Sequence, residues 1–239
     1  MFMESGGMIK LRPACARGYA NHGWLRSWHS FSYAEYFDPE EMGWGPLRAL
    51  NEDFLAPGCG FGKHKPHDME IITYLLDGPL QYEDDNPREQ QVRRPSVQRM
   101  SAGRGILLSQ FNASENENLH LLQIWIEPDV RGIAPEQEER IFADERKRDR
   151  WCLVASPDGA ENSLTIYQNA RLFASLLSPG RSLEYRLQPR RRAYLQVISG
   201  DIMLNGVTLR AGDGAKIADE AELVILAQGP AELLLFDLP

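Results

Sequence analysis

From residue 71 onward, short apolar and β-branched runs alternate with turn residues. Residues 71–76 form one such run, closed by Asp77-Gly78, and this composition predicts a strand ending in a hairpin or turn. Residues 97–100 lead into glycines at 103 and 105, and residues 119–126 end at Glu127-Pro128. The plan recurs further on. Residues 193–198 run into Gly200-Asp201, 202–204 pass through Asn205-Gly206 into 207–209, and strands are expected at 223–226 and 233–238. Asn-Gly between two short apolar stretches requires positive φ at both central positions and predicts a tight hairpin.

The two halves correspond in detail. Ala102-Gly-Arg-Gly105 stands against Ala211-Gly-Asp-Gly214, and Gly78 against Gly200. Such self-similarity implies two copies of one antiparallel unit. Many short strands with regular turn signals point to sandwiches or barrels, among them the jelly roll. The expected fold class is therefore all-β, with two antiparallel jelly-roll barrels packed face to face. Residues 135–150 are rich in Glu and Arg and too polar to bury much, so they are expected to link the barrels. The boundaries that follow are an N-terminal barrel at 8–134, a linker at 135–150 and a C-terminal barrel at 151–239. Residues 1–7 are expected to be an extension or a cloning remnant, because Met8 looks like the natural start.

Composition narrows the partners. The 239 residues are 43% hydrophobic and 25% charged, which suits a large packed core and excludes a disordered chain. A formal net charge of −8 argues against direct nucleic-acid binding. No apolar run approaches the ~20 residues needed to span a bilayer, so no membrane partner is expected. Three widely spaced cysteines, Cys15, Cys59 and Cys152, fit the reducing cytoplasm.

The candidate chemistry lies in two segments. Gly60-Phe-Gly-Lys-His64-Lys-Pro66-His67-Asp-Met-Glu70 and Ser101-Ala-Gly-Arg-Gly105-Ile-Leu-Leu108-Ser-Gln110-Phe-Asn112 resemble the two halves of a cupin metal site. More narrowly they resemble the pirin-like family, with its G-F-G-x-H-P-H-x-D-M-E and S-A-G-x-G-I-x-H-S-E-x-N. The aromatic stretch from Ala20 to Tyr33, Tyr36-Phe-Asp-Pro39, residues 119–125 and the terminal Leu-Phe-Asp-Leu-Pro239 carry the resemblance over essentially the whole chain. Read without it, the aromatic stretch is core packing.

The resemblance implies a bicupin whose N-terminal barrel holds iron on three histidines and a glutamate, the C-terminal barrel having no ligands. It also implies quercetin 2,3-dioxygenase activity, as in some bacterial members, or iron-dependent transcriptional co-regulation, as in animal members. Carried over residue by residue, only the first ligand survives, as His64. Pro66, Leu108 and Gln110 occupy the other three positions.

Leucine and proline have no donor atom, and an amide oxygen is a far weaker ligand for a dication than a carboxylate. On a regular strand His67 faces away from Pro66, and a one-residue bulge at the proline would swing it inward. The candidate metal set is therefore His64, His67 and Gln110, for iron or another divalent ion, with no cofactor expected at full occupancy. His64, Pro66, Leu108 and Gln110 are the candidate substrate pocket.

Three functions follow. The first is a metal-poor small-molecule-binding protein or non-oxygenase enzyme. The second is a quercetin 2,3-dioxygenase-like oxidoreductase with an unorthodox iron site. The third is a regulatory module with a protein partner.

Overall fold

A strand buried along nearly its whole length suits a place covered on both faces, and each of two units has such a strand, Glu70–Asp77 in one and Ala231–Leu238 in the other. The computed structural model describes residues 7–83 and 90–239, so the expected extension lies, Gly7 apart, outside the described residues. One unit comprises Gly18–Phe142 with Leu164–Gln168, and the other comprises residues up to Arg17, Ala143–Ser163 and Asn169–Pro239.

The first strand, β1 (Met8–Arg12), belongs to the second unit. The N-terminal unit then runs through β2 (Gly18–Asn21), β3 (Leu25–His29), β4 (Leu47–Leu55), β5 (Gly60–His64) and β6 (Glu70–Asp77). It continues through β7 (Pro79–Glu83), β8 (Gln90–Arg93), β9 (Ser96–Ser101), β10 (Leu108–Asn112), β11 (Leu119–Ile126) and β12 (Glu136–Ile141). These form an antiparallel sheet of order β12-β9-β6-β11-β4-β3-β2 and a four-stranded sheet of order β5-β10-β7-β8. Leu55, Leu75, Leu80, Leu108, Leu119 and Leu121 fill the core of this unit.

After the one-turn helix α1 (Asp144–Lys147) come β13 (Cys152–Ser156), β14 (Leu164–Thr165), β15 (Arg171–Leu177), β16 (Ser182–Arg186) and β17 (Arg192–Ser199). Five more strands close the chain: β18 (Ile202–Leu204), β19 (Val207–Leu209), β20 (Gly214–Ala218), β21 (Glu222–Ala227) and β22 (Ala231–Leu238). The C-terminal unit repeats the plan, with β1-β20-β17-β22-β15-β13 in one sheet and β16-β21-β18-β19 in the other. The chain is thus a nearly all-β bicupin, as expected. Asn205 and Gly206 have φ of 45° and 85° and close the β18–β19 hairpin as predicted.

Three expectations need correction. Residues 8–12 are not part of the N-terminal barrel, because β1 pairs with β20 from Met8↔Ala218 to Arg12↔Gly214. It fills the edge that β12 fills beside β9 in the other unit. The chain passes from one unit to the other at Phe142–Ala143, inside 135–150, but these residues are not an unstructured link: they form β12 and α1. An edge strand is held by backbone hydrogen bonds, so its side chains can stay charged and discourage further pairing. The two A-G-x-G corners are not equivalent either. Ala211–Gly214 precedes β20, whereas Ala102–Gly105 follows β9, the counterpart of β20. Gly78 and Gly200 do correspond, at φ 81° and 80°. Among the described residues no helix is long and apolar enough to cross a membrane.

Candidate functional site

The frame read from the sequence is assembled on β5 and β10. Leu108 lies opposite His64 and Gln110 opposite Phe61, so the two strands slip past each other at Gly62-Lys63. The irregularity therefore precedes His64 rather than falling at Pro66. β5 ends at His64, and beyond it Pro66 is buried while His67 is exposed. Nδ1 of His64 lies 2.9 Å from the Gly62 carbonyl oxygen, to which it donates.

Leu108 and Gln110 are buried. Oε1 of Gln110 accepts from Nε2 of Gln123 at 3.1 Å, and Oε1 of Gln123 accepts from Nε1 of Trp125 at 3.2 Å. Gly103 holds the corner before β10 at φ 45°, where a Cβ would meet the Ile133 carbonyl oxygen at 2.2 Å. Glu70 accepts from Ser101 Oγ at 2.7 Å, and burial pushes its carboxyl up to about 7. His120 pairs with Glu52 at 3.0 Å and stacks on Phe54. Among the described residues no three His, Cys, Asp or Glu side chains are grouped to hold a metal ion.

A cavity of about 850 Å³ lies in the same unit, lined by none of His64, Pro66, Leu108 and Gln110. Its walls include Trp24, Phe61, Tyr33 and Tyr36, and its polar face includes Ser27, His29, Asn51, Asp53 and Gln123. The register explains that face. Ser27 pairs with Asp53 and His29 with Asn51 across β3 and β4, and Asn51 pairs with Gln123 across β4 and β11. Side chains two apart on a strand share a face, so these five polar groups project together.

Ser27 Oγ donates to Asp53 Oδ1 in a short hydrogen bond and lies 3.4 Å from His29 Nδ1. His29 Nδ1 lies 2.9 Å from Asn51 Oδ1, a carbonyl oxygen that only accepts, so the ring donates from Nδ1. Asp53 is 2% exposed. Burial pushes its carboxyl up to about 7 against the opposing Ser27 hydrogen bond, and the charge of Glu52 adds to the rise. Tyr33 rises to about 12 through burial and the nearby charge of Asp53.

Tyr33 and Tyr36 close the rim through paired backbone hydrogen bonds of 3.0 Å, with the Tyr36 ring stacked on His29 at 6.3 Å. Tyr36 lies so close to Gly18 that a Cβ there would be 2.3 Å from its ring. Polar pairs at i and i+2, Ser27-x-His29 and Asn51-x-Asp53, were the signal available in the sequence for this pocket.

The N-terminal pirin family model matches residues 10–126, and the quercetinase C-terminal cupin domain matches 153–238. The quercetin 2,3-dioxygenase of Escherichia coli K12 is 44% identical over 232 residues, covering 97% of this chain and 99% of the relative. This chain belongs to the pirin family. Among other pirins, a pirin-like protein of Caulobacter vibrioides is 40% identical, covering 96% of this chain and 99% of its own. The bacterial pirin YhhW of Escherichia coli, solved in complex with nickel(II), superposes with a TM-score of 0.93 at 44% identity, covering 97% of this chain and 99% of YhhW.

Proposed function

We propose that this pirin binds a small molecule in the N-terminal pocket without the three-histidine, one-glutamate iron centre of its family. The observation that carries this reading is the separation of cavity from frame. The cavity of about 850 Å³ has its polar wall on β3, β4 and β11, while the four frame positions hold one histidine and three residues poor in donors.

The residues present do not fit the iron. Pro66 and Leu108 offer no lone pair, and Gln110 offers a neutral oxygen that already accepts from Gln123. His67 is exposed beyond the end of β5. Mixed imidazole and carboxylate ligation is what suits non-haem iron, and no carboxylate takes part here. The pocket has the make-up of a binding site instead, with aromatic walls and a few convergent polar groups. Trp24 and Phe61, edge to face at 5.5 Å, suit a flat apolar body, while Asn51 and Gln123 supply amides for orientation.

The test is thermal stabilisation by quercetin in the presence of a chelator, together with iron content after incubation with Fe(II). A rise in Tm with chelator present and far less than one iron per chain are expected. Stoichiometric metal that disappears in His64→Ala would sink the reading.

A second reading, a dioxygenase with an iron site on His64 and His67, is favoured by one detail. His64 donates from Nδ1 to a backbone carbonyl, which leaves Nε2 as its ligating atom, the usual arrangement of a metal-bound histidine. Iron-dependent aerobic turnover of quercetin is its signature.

A further inference from the structure

Within the pocket one carboxylate lacks the partner that a buried charge normally requires. Asp53 is 2% exposed, yet no arginine or lysine lines the cavity. Its hydrogen-bond partner is the Ser27 hydroxyl. The groups around it include no arginine or lysine: Ser27 and His29 from β3, Asn51 on its own strand, Leu121 and Gln123 from β11, and Tyr33, Glu35 and Tyr36 from the rim. Glu52 adds negative charge and is paired with His120. A carboxylate buried without a cation is costly, and groups held in that state cluster where protons are moved.

The Ser27 hydroxyl links this carboxyl to the His29 ring, and Asn51 fixes which ring nitrogen carries the proton. These contacts orient three polar groups on one wall of a cavity large enough for a ligand.

We propose that Asp53, oriented by Ser27 and His29, is a proton-handling group that exchanges a proton with an acidic hydroxyl, phenolic or enolic, on the molecule in this pocket. The inference rests on the reading that the pocket takes a ligand. The ligand O–H bond breaks as an O–H bond forms on the Asp53 carboxylate, and the electron pair stays on the ligand oxygen. Negative charge moves from protein to ligand, and the reverse step restores both. Nothing is oxidised, and no co-reactant is consumed. The buried carboxyl is poised for this exchange because its folded environment holds it near 7 rather than in the usual carboxylate range.

The probes are 7-hydroxycoumarin, whose neutral and anionic forms differ in absorption, and 7-methoxycoumarin, which has the same rings and no proton to exchange. Affinities are measured from pH 5 to 9 for the wild-type protein, Asp53→Asn and Ser27→Ala. The wild type is expected to bind the phenol with a bell-shaped profile that the ether lacks. Asp53→Asn is expected to weaken the phenol about tenfold or more, as loss of a charge-assisted hydrogen bond does. It should remove the acid limb of the profile and shift the ether less than threefold. Ser27→Ala should move the acid limb rather than abolish it.

Equal losses for phenol and ether, or an unchanged bell in Asp53→Asn, overturn the proton-handling role and leave the pocket standing. If neither coumarin binds the wild type, the pocket reading falls and takes this one with it. Should Asp53→Asn fail to fold, carbon NMR of the aspartate carboxyls in the wild type decides. Titration of Asp53 near neutrality supports the proposal, and titration below pH 5 overturns it.

Discussion

The two barrels are copies of one plan, and the inward face of one is polar at several places where that of the other is apolar. Their registers align position by position. Gln123, opposite Thr73 and Asn51, corresponds to Leu235, opposite Leu195 and Phe173. Asn51 thus answers to Phe173, Asp53 to Ser175 and His29 to Leu153. On the smaller sheets His64 answers to Tyr185, Leu108 to Leu223 and Gln110 to Ile225.

In the C-terminal barrel Phe173 and Tyr185 pack at 5.1 Å with Trp151 against both. In the N-terminal barrel the shorter Asn51 stands in the place of Phe173, and a cavity of about 850 Å³ opens beside it. Stability therefore does not require the polar wall. The same architecture closes with Phe173, Leu153 and Leu235 at three of those places, so the polar groups there are a property of the pocket and not of the fold.

Exchanging residues between the barrels tests that contrast most severely. Leu235→Gln places an amide in an apolar core and is expected to cost about 3–5 kcal/mol in urea denaturation. The reciprocal Gln123→Leu removes one member of a hydrogen-bonded chain and is expected to cost about 1 kcal/mol. Equal costs would break the comparison.

The pH dependence of stability comes next. Asp53 and Glu70 both have folded values raised to about 7, so between roughly pH 4 and 7 the folded protein holds protons that the unfolded chain has lost. Their contribution is complete at acid pH and is lost as pH rises through about 7. Stability should fall by about 1.4 kcal/mol per pH unit for each group in that window. Asp53→Asn and Glu70→Gln should each remove one share, as read from denaturant midpoints at pH 4 and pH 7.

Asn51→Phe gives the N-terminal barrel its C-terminal counterpart. It is expected to abolish the Tm gain from quercetin while moving the Tm of the free protein by only a few degrees. The smallest effect is at the rim. Gly18→Ala places a methyl against the Tyr36 ring and should weaken quercetin binding severalfold, by titration, at a stability cost of about 1 kcal/mol.

The strands were legible because apolar runs and glycine turns encode local geometry. Residues 119–126 and 202–209 were placed to the residue, and Gly78 and Gly200 were matched correctly. The edge strands were not legible. β1 and β12 derive their stability from backbone pairing with distant partners, which leaves little trace in side-chain pattern. The polar pocket was missed for a related reason. Alternation shows that Ser27 and His29 share a face, but not that this face points inward, and the aromatic residues around them suggested packing.

By itself the sequence determined the all-β class, the duplication and membership of the pirin family, because turn chemistry, strand period and motif spacing are local properties. It also determined which donors stand at the four frame positions. Only the tertiary structure decided that β1 completes the C-terminal sheet, that His67 lies exposed beyond β5, and that Ser27, His29, Asn51, Asp53 and Gln123 meet at one wall. Those outcomes depend on register between strands far apart in the chain, and register is set by the whole barrel closing at once.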